Sequence, residues 1–172
     1  MGKLYVLDTG ALLSTWTQTM PENRFLSTQS VIDELENRPS RNRAETLISL
    51  DRLQLITPES RFIAEVRNKS EQMGDSTVLS ETDIELLAIA LAKHRKNFDV
   101  VLVSTDFAVL NTSTSLGISI LDPKMRMRER IKWVYRCKAC GRVEERAPKN
   151  LECPVCGTMM DRKSKRRFRV QK

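Results

Sequence analysis

The chain has 172 residues, enough for one domain of ordinary size and a small module but too few for two full-sized domains. Apolar residues make up 40% and charged residues 30%, which argues against a disordered or fibrous protein. The formal charge of +7 conceals a division: residues 1–122 carry 12 Lys+Arg against 17 Asp+Glu, net −5, while residues 123–172 carry 17 against 5, net +12.

In chain order, Leu4 to Leu7 is a short apolar run of strand type, followed by Asp8-Thr9-Gly10. Phe25-Leu26-Ser27 is a weak second strand, leading into a helix from Gln29 to Asn37 with Val31, Ile32 and Leu35 on one face. Arg38-Pro39-Ser40 ends that helix and opens another that runs to about Leu50. Leu53 to Thr57 predicts a third strand, and a helical stretch from about Glu59 to Met73 is broken by Gly74-Asp75.

Ser80 then opens the clearest helix, with Ile84, Leu87, Ala88 and Leu91 at the spacing of a buried stripe, running to about Lys96. Val100 to Val103 is four apolar residues in succession, as in a parallel strand buried on both faces. Asp106 to Leu116 predicts a helix and Ile118 to Leu121 a last strand. Strands alternating with helices imply an α/β fold with a Rossmann-like parallel sheet flanked by helices.

No apolar stretch approaches the roughly 20 residues that span a bilayer. The acid at position 8 interrupts the N-terminal apolar run, so no signal peptide is expected. All 4 Cys lie between 137 and 156. A cytoplasmic setting is expected, where paired cysteines hold metal more readily than they form disulfides.

In an open parallel sheet, ligands bind beyond the carboxyl ends of the strands. Asp8 follows the first strand directly and Asp106 follows the buried strand after two residues, so both fall on that rim. Asp83 lies in the first turn of the strongest helix, in line with Leu87 and Leu91. In Asp33-Glu34-Leu35-Glu36, Asp33 points most nearly to solvent, and spacing does not choose between Glu34 and Glu36. Singly, each acid has an ordinary role: Asp8 and Asp106 as helix caps, Asp83 in a Ser80-x-x-Asp83 capping box, Glu34 on an exposed helix face. Together they repel unless protons or cations neutralise them, and oxygen-rich sites suit Mg²⁺ or Mn²⁺. Two such ions about 4 Å apart serve phosphodiester hydrolysis. The single His94 sits among cations at a helix end, and there is no phosphate-binding G-x-x-x-x-G-K-[ST] loop.

The succession Val6-Leu7-Asp8-Thr9-Gly10-Ala11-Leu12, Val31-Ile32-Asp33-Glu34-Leu35, Leu79 to Ala88, and Ser104-Thr105-Asp106-Phe107-Ala108 resembles the PIN-domain nucleases over essentially all of residues 1–121. The resemblance implies a metal-dependent endoribonuclease whose acids are Asp8, Glu34, Asp83 and Asp106, and it selects Glu34 over Glu36. Gly74 to Asp83, Asp106 to Asn111 and the four-cysteine module after the PIN region look more particularly like the Nob-one (NIN-one-binding protein) ribosome-assembly endonucleases, in a compact archaeal-like form. That family cuts the 3′ end of precursor small-subunit rRNA, which implies the small ribosomal subunit and its precursor RNA as partners, with no membrane.

Cys137-x-x-Cys140-Gly141 and Cys153-x-x-Cys156-Gly157 are two knuckles separated by 12 residues. This spacing predicts one structural Zn²⁺ held by four thiolates in a small β-rich ribbon. Lys124, Arg126, Arg128, Arg130 and Lys132 precede it, and Arg162, Lys163, Lys165, Arg166, Arg167 and Arg169 follow. Such density supplies phosphate contacts with little sequence information. Among the neighbouring aromatics, Trp133 and Tyr135 read as packing residues, and Phe168 is available to stack on bases.

The expected organisation is a nuclease domain at 1–121, a basic linker at 122–132, a zinc ribbon at 133–161 and a basic, disordered tail at 162–172. Asp8 and Asp106 are expected as primary ligands of one or two Mg²⁺ or Mn²⁺ ions. Asp83 and Glu34 complete that site, and cleavage leaves a 3′-hydroxyl and a 5′-phosphate. The alternatives are a toxin-like PIN RNase acting on tRNA or mRNA, and a non-catalytic RNA-binding assembly factor.

Overall fold

The computed structural model describes residues 2–20 and 22–169. Five parallel strands, β1 (Leu4–Leu7), β2 (Phe25–Ser27), β3 (Leu53–Leu55), β4 (Val100–Val103) and β5 (Ser119–Leu121), lie in the spatial order β3-β2-β1-β4-β5. All four residues of β4 are buried, which is why the strand is uninterrupted by polar side chains. The order reverses between β1 and β4, and their register sets Leu7 opposite Val103. Asp8 and Ser104 therefore leave the sheet side by side, and the Asp8 N–H donates to the Val103 carbonyl at 3.2 Å.

Among the described residues six α-helices flank the sheet: α1 (Thr9–Leu13), α2 (Gln29–Asp33), α3 (Arg38–Ser49), α4 (Ser60–Met73), α5 (Glu81–Arg95) and α6 (Phe107–Ser115). α5 is more than a striped helix. Leu86 to Leu91 are all buried, because the helix contacts α2, α4 and α6 as well as β1 and β4. The helix expected over 29–37 ends instead at Asp33. Asn37 is held in extended conformation so that its side chain can cap α3 through the Ser40 N–H at 2.9 Å, and fully buried Leu35 turns inward between the two helices.

A second, antiparallel sheet has the order β7-β6-β8, with β6 at Glu129–Cys137, β7 at Val143–Glu144 and β8 at Met160–Arg169. Two expectations are corrected here. The last four residues of the supposed linker belong to β6, and residues 162–169 of the supposed disordered tail form most of β8. Val170 to Lys172 lie outside the described residues. The reason is pairing: Glu129 to Cys137 register against Arg169 to Met160, with one bulge at Lys132/Trp133. The ladder satisfies backbone groups that a solvated tail would leave to water.

This sheet is seated firmly on the first domain. Asp75, in the loop between α4 and α5, is completely buried. It accepts hydrogen bonds from Asn111 Nδ2 at 2.6 Å and Thr112 Oγ1 at 3.3 Å, both on α6, and forms an ion pair with Arg162 of β8. Arg162 also donates from Nε to the Gly74 carbonyl at 2.7 Å and lies 4.2 Å from the centre of the Trp133 ring. Tyr135, fully buried, places its hydroxyl 2.9 Å from Thr77 Oγ1. Gly74 has a left-handed φ of 73°, and a Cβ there would stand 2.8 Å from Trp133 Cβ, so the turn and the docking both require glycine.

Removing the Arg162 side chain strands a buried carboxylate. Arg162→Ala is therefore expected to cost about 3 kcal/mol at pH 7.5 in chemical denaturation. Burial already pushes the Asp75 carboxyl up to about 6, against the lowering influence of Asn111 and Arg162. Without Arg162 it rises further, so at pH 5 the acid is neutral and the loss shrinks. A penalty independent of pH would contradict this account of the interface.

Candidate functional site

Each acid singled out on the sequence lies where a helix begins or ends at the carboxyl rim of the sheet. Asp8 is the N-cap of α1, and its Oδ1 accepts from the Ala11 N–H at 2.6 Å. Its Oδ2 is 3.4 Å from the Thr105 N–H, and Ser104 also hydrogen-bonds the carboxylate. Asp106 is the N-cap of α6, with Oδ1 accepting from Ala108 N–H at 2.6 Å and Val109 N–H at 3.2 Å. Asp83 closes the Ser80 capping box, its Oδ2 accepting from the Ser80 N–H at 2.8 Å and hydroxyl at 2.9 Å. Glu34, the C-cap residue of α2, accepts from the Thr9 hydroxyl at 2.7 Å.

The ordinary capping roles weighed on the sequence are thus all realised for the three aspartates. They do not exhaust the groups, because the bonds of Asp83 and Asp106 fall on one oxygen each and leave the other free of protein partners among the described residues. Electrostatics places the acids in one another's field. Burial pushes the Asp8 carboxyl up to about 6, and Asp83 adds to the rise. Asp83 is likewise raised, chiefly by burial and further by the negative charges of Asp106 and Glu34. Asp33, by contrast, faces solvent and accepts from Gln29 Nε2 at 2.8 Å.

Several contributors were not singled out on the sequence. Thr9 orients Glu34, Ser104 holds both Asp8 and the Asp106 N–H (2.9 Å), and Ser30 donates to Glu85 at 2.6 Å, tying α2 to α5. Their sequence signal was adjacency: hydroxyl residues flank the acids in Asp8-Thr9 and Ser104-Thr105-Asp106. At Gly10 a Cβ would stand 2.4 Å from Thr105 Oγ1 and within 3.5 Å of both Asp8 oxygens, so only glycine lets α1 start this close to β4.

Among the described residues, the four cysteines are the group of metal-ligating side chains whose donor atoms all lie within 4.8 Å of one another. The acids stand farther apart. Cys137 and Cys156 Sγ are 3.5 Å apart, as are those of Cys140 and Cys153, with 3.6 Å between Cys140 and Cys156. Bonds of about 2.3 Å to a tetrahedral zinc imply sulfur separations near 3.8 Å, so four free thiols at this spacing fit that ion. The two knuckles are built alike. Cys137 N–H donates to the Arg142 carbonyl at 2.8 Å and Cys153 N–H to that of Thr158 at 2.9 Å, while Gly141 and Gly157 return to Cys137 and Cys153.

The basic residues divide. Arg162 is committed to the domain interface described above and is not presented to solvent as expected. Lys132 and Lys165 pair with Glu145, Lys163 with Asp161, and Arg167 with Glu129, all at the surface where such pairs are weak and exchangeable. Lys124, Arg128, Arg166 and Arg169 are exposed. Arg126 donates to the Thr105 carbonyl at 2.8 Å, next to Asp106, and Arg130 lies 4.8 Å from the Phe168 ring centre.

A family model described as the PIN domain of ribonuclease matches residues 5–92. Endoribonuclease Nob1 of Pyrococcus abyssi is 33% identical over 132 residues, covering 77% of this chain and 79% of that protein. Endoribonuclease Nob1 of Archaeoglobus fulgidus is 40% identical over 108 residues, 62% of this chain and 61% of its own length. Ribonuclease VapC1 of Thermoplasma acidophilum is 28% identical over 174 residues, 100% of this chain and 84% of its own.

Two measurements probe this geometry without reference to activity. Asn at position 8 keeps the helix cap but removes the buried charge, so in EDTA at pH 7.5 Asp8→Asn should gain on the order of 2 kcal/mol. The sign follows from the raised carboxyl: the cost of ionising it builds between the ordinary value of 3.8 and about 6, so the gain should be complete above about pH 6, partial at pH 5 and fade out only below pH 3.8. Native mass spectrometry should find one zinc per chain. A strong chelator should speed amide exchange in 129–169 before 2–121, because the ribbon's own apolar cluster is only Tyr135, Cys137, Cys153 and Met160 with two flanking side chains.

Proposed function

This chain belongs to the PIN-domain endoribonucleases of the Nob1 family, and on that premise we propose that it trims the 3′ end of precursor small-subunit (16S-type) rRNA during ribosome maturation in the cytoplasm. The observation that carries the reading is the union of two features in one packed unit: acids near the sheet's switch point, with Asp83 in the field of Asp106 and Glu34 and Asp8 in that of Asp83, and a strongly basic four-thiol ribbon clamped to the same domain. The ribbon supplies the attraction for a long polyanion that the acidic domain lacks.

In this reading Asp8 and Asp106 are the primary ligands of one or two Mg²⁺ or Mn²⁺ ions, and Asp83 and Glu34 complete the set. Bound there, the ions supply charge stabilisation to the phosphate and activate water for attack. The residues of the chain do the positioning. Amides of α1 and α6 and the Ser80 capping box fix one oxygen of each aspartate, so the free oxygens of Asp83 and Asp106 need no reorganisation to receive a cation. Thr9 fixes Glu34 in the same way. Attack in line with the 3′ oxygen leaves a 3′-hydroxyl and a 5′-phosphate. Zn²⁺ on Cys137, Cys140, Cys153 and Cys156 has no open position and is structural. The full-length match to a VapC relative supports a second reading, an RNase acting on tRNA or mRNA.

Incubation with a precursor rRNA 3′ fragment, a tRNA and an mRNA of similar length separates the two. The rRNA fragment should be cut in Mn²⁺, spared in EDTA, and spared by Asp8→Asn; preferential cleavage of tRNA or mRNA would favour the second reading. The acid limb of kcat/KM should fall below about pH 6, where protons compete with cations for Asp8. Higher Mn²⁺ should move that limb to lower pH, and a limb insensitive to Mn²⁺ would remove Asp8 from the ion's coordination.

A further inference from the structure

A groove of about 990 Å³ runs along β5, the edge strand of the parallel sheet, between that edge and the β6–β8 ribbon. That volume lies at the top of the range of roughly 300–1,000 Å³ for pockets that enclose a drug-sized ligand. One wall carries Lys3; the other carries Arg128, Arg130, Phe168 and Arg169. The acid in its lining, Asp122, is spent on backbone, accepting from the Lys124, Arg126 and Met127 N–H groups at 2.8, 2.7 and 3.0 Å. With Lys3, Arg128, Arg130 and Arg169 set against this one carboxylate, the groove is cationic. Asp122, Met125 and Met127 of one turn line it, and Arg126 of the same turn holds the Thr105 carbonyl beside Asp106. Phe168 is 39% exposed and has Arg130 over its ring at 4.8 Å, so guanidinium and ring form a platform open to a further planar group.

From this arrangement we infer that the groove binds a short single-stranded stretch of RNA flanking the scissile phosphate, its backbone between Lys3 and Arg128/Arg169 and one base stacked on Phe168. The inference rests on the endoribonuclease reading and adds a path for the substrate. Single-stranded RNA fits where a duplex does not, because only an unpaired base can present its face to Phe168. Phosphates match the cations without sequence preference.

The test is fluorescence anisotropy of a fluorescein-labelled 20-nucleotide unstructured RNA with the zinc-loaded protein in chelator-free buffer without Mg²⁺ or Mn²⁺, where binding is read without cleavage. Arg128→Glu/Arg169→Glu should weaken binding at least tenfold and flatten the slope of log Kd against log salt by about 1.4, two phosphate contacts' worth on a single strand. Phe168→Ala should weaken it roughly tenfold, the contribution of one stacked base. Lys3→Glu, on the opposite wall and outside the ribbon, keeps the test decisive if a β8 variant misfolds, and should weaken binding as well. Binding by Phe168→Ala and Lys3→Glu within twofold of the parent would overturn the proposal and leave the β5 edge to a protein strand. If the variants lose affinity as expected but the parent fails to cut precursor rRNA, the groove stands and the rRNA reading fails.

Discussion

The structure turns on holding like charges together where β1 and β4 end. Burial pushes the carboxyls of Asp8 and Asp83 up, with the charge of Asp83 adding to the rise at Asp8 and those of Asp106 and Glu34 adding to it at Asp83. The fold meets that cost with the donors it already has. The first-turn amides of α1 and α6 and the Ser80 box each hold one oxygen of an aspartate, and helix N-termini favour negative charge. Capping and catalysis are therefore not rival explanations of these residues. The interactions that start the helices also aim the carboxylates, and they leave one oxygen each of Asp83 and Asp106 without a protein partner among the described residues.

The second dependence runs through Asp75. A fully buried carboxylate between α6 and β8 makes the ribbon part of the same packed unit as the nuclease domain. Its loop leads within a few residues to Ser80 and Asp83, so the seat of the ribbon and the start of α5 share one stretch of chain. The division of charge, net −5 in residues 1–122 and net +12 beyond, thus lies across a firm interface. Negative charge gathers in the domain that carries the four acids, while positive charge is spread over strands fixed in position relative to it.

Much of this was legible in the sequence where a short-range rule governs. Val100 to Val103 matched β4 residue for residue, since an uninterrupted apolar run has few other uses, and Ser80-x-x-Asp83 marked the start of α5. The cysteine spacing announced the cluster of four thiols. Three features escaped because their cause is long-range. The strand at 160–169 is dense in charge and has no apolar alternation; only its pairing with β6 makes it a strand. Arg162 looked like its basic neighbours, and its partner lies 87 residues away. The early end of α2 depends on Asn37 capping the following helix instead of continuing the first. Glu34 was separable from Glu36 only by resemblance, and the Thr9 hydrogen bond now gives a local reason for it.

The central claim is that the four acids, brought together by the sheet's switch point, form a divalent cation site. A titration of Mn²⁺ followed by the electron paramagnetic resonance of the free ion tests it directly. The account predicts saturable binding of one or two ions at pH 7.5, weakened at least tenfold in Asp8→Asn and in Asp106→Asn. Mn²⁺ affinity and stoichiometry that are the same in the parent and both variants would contradict it.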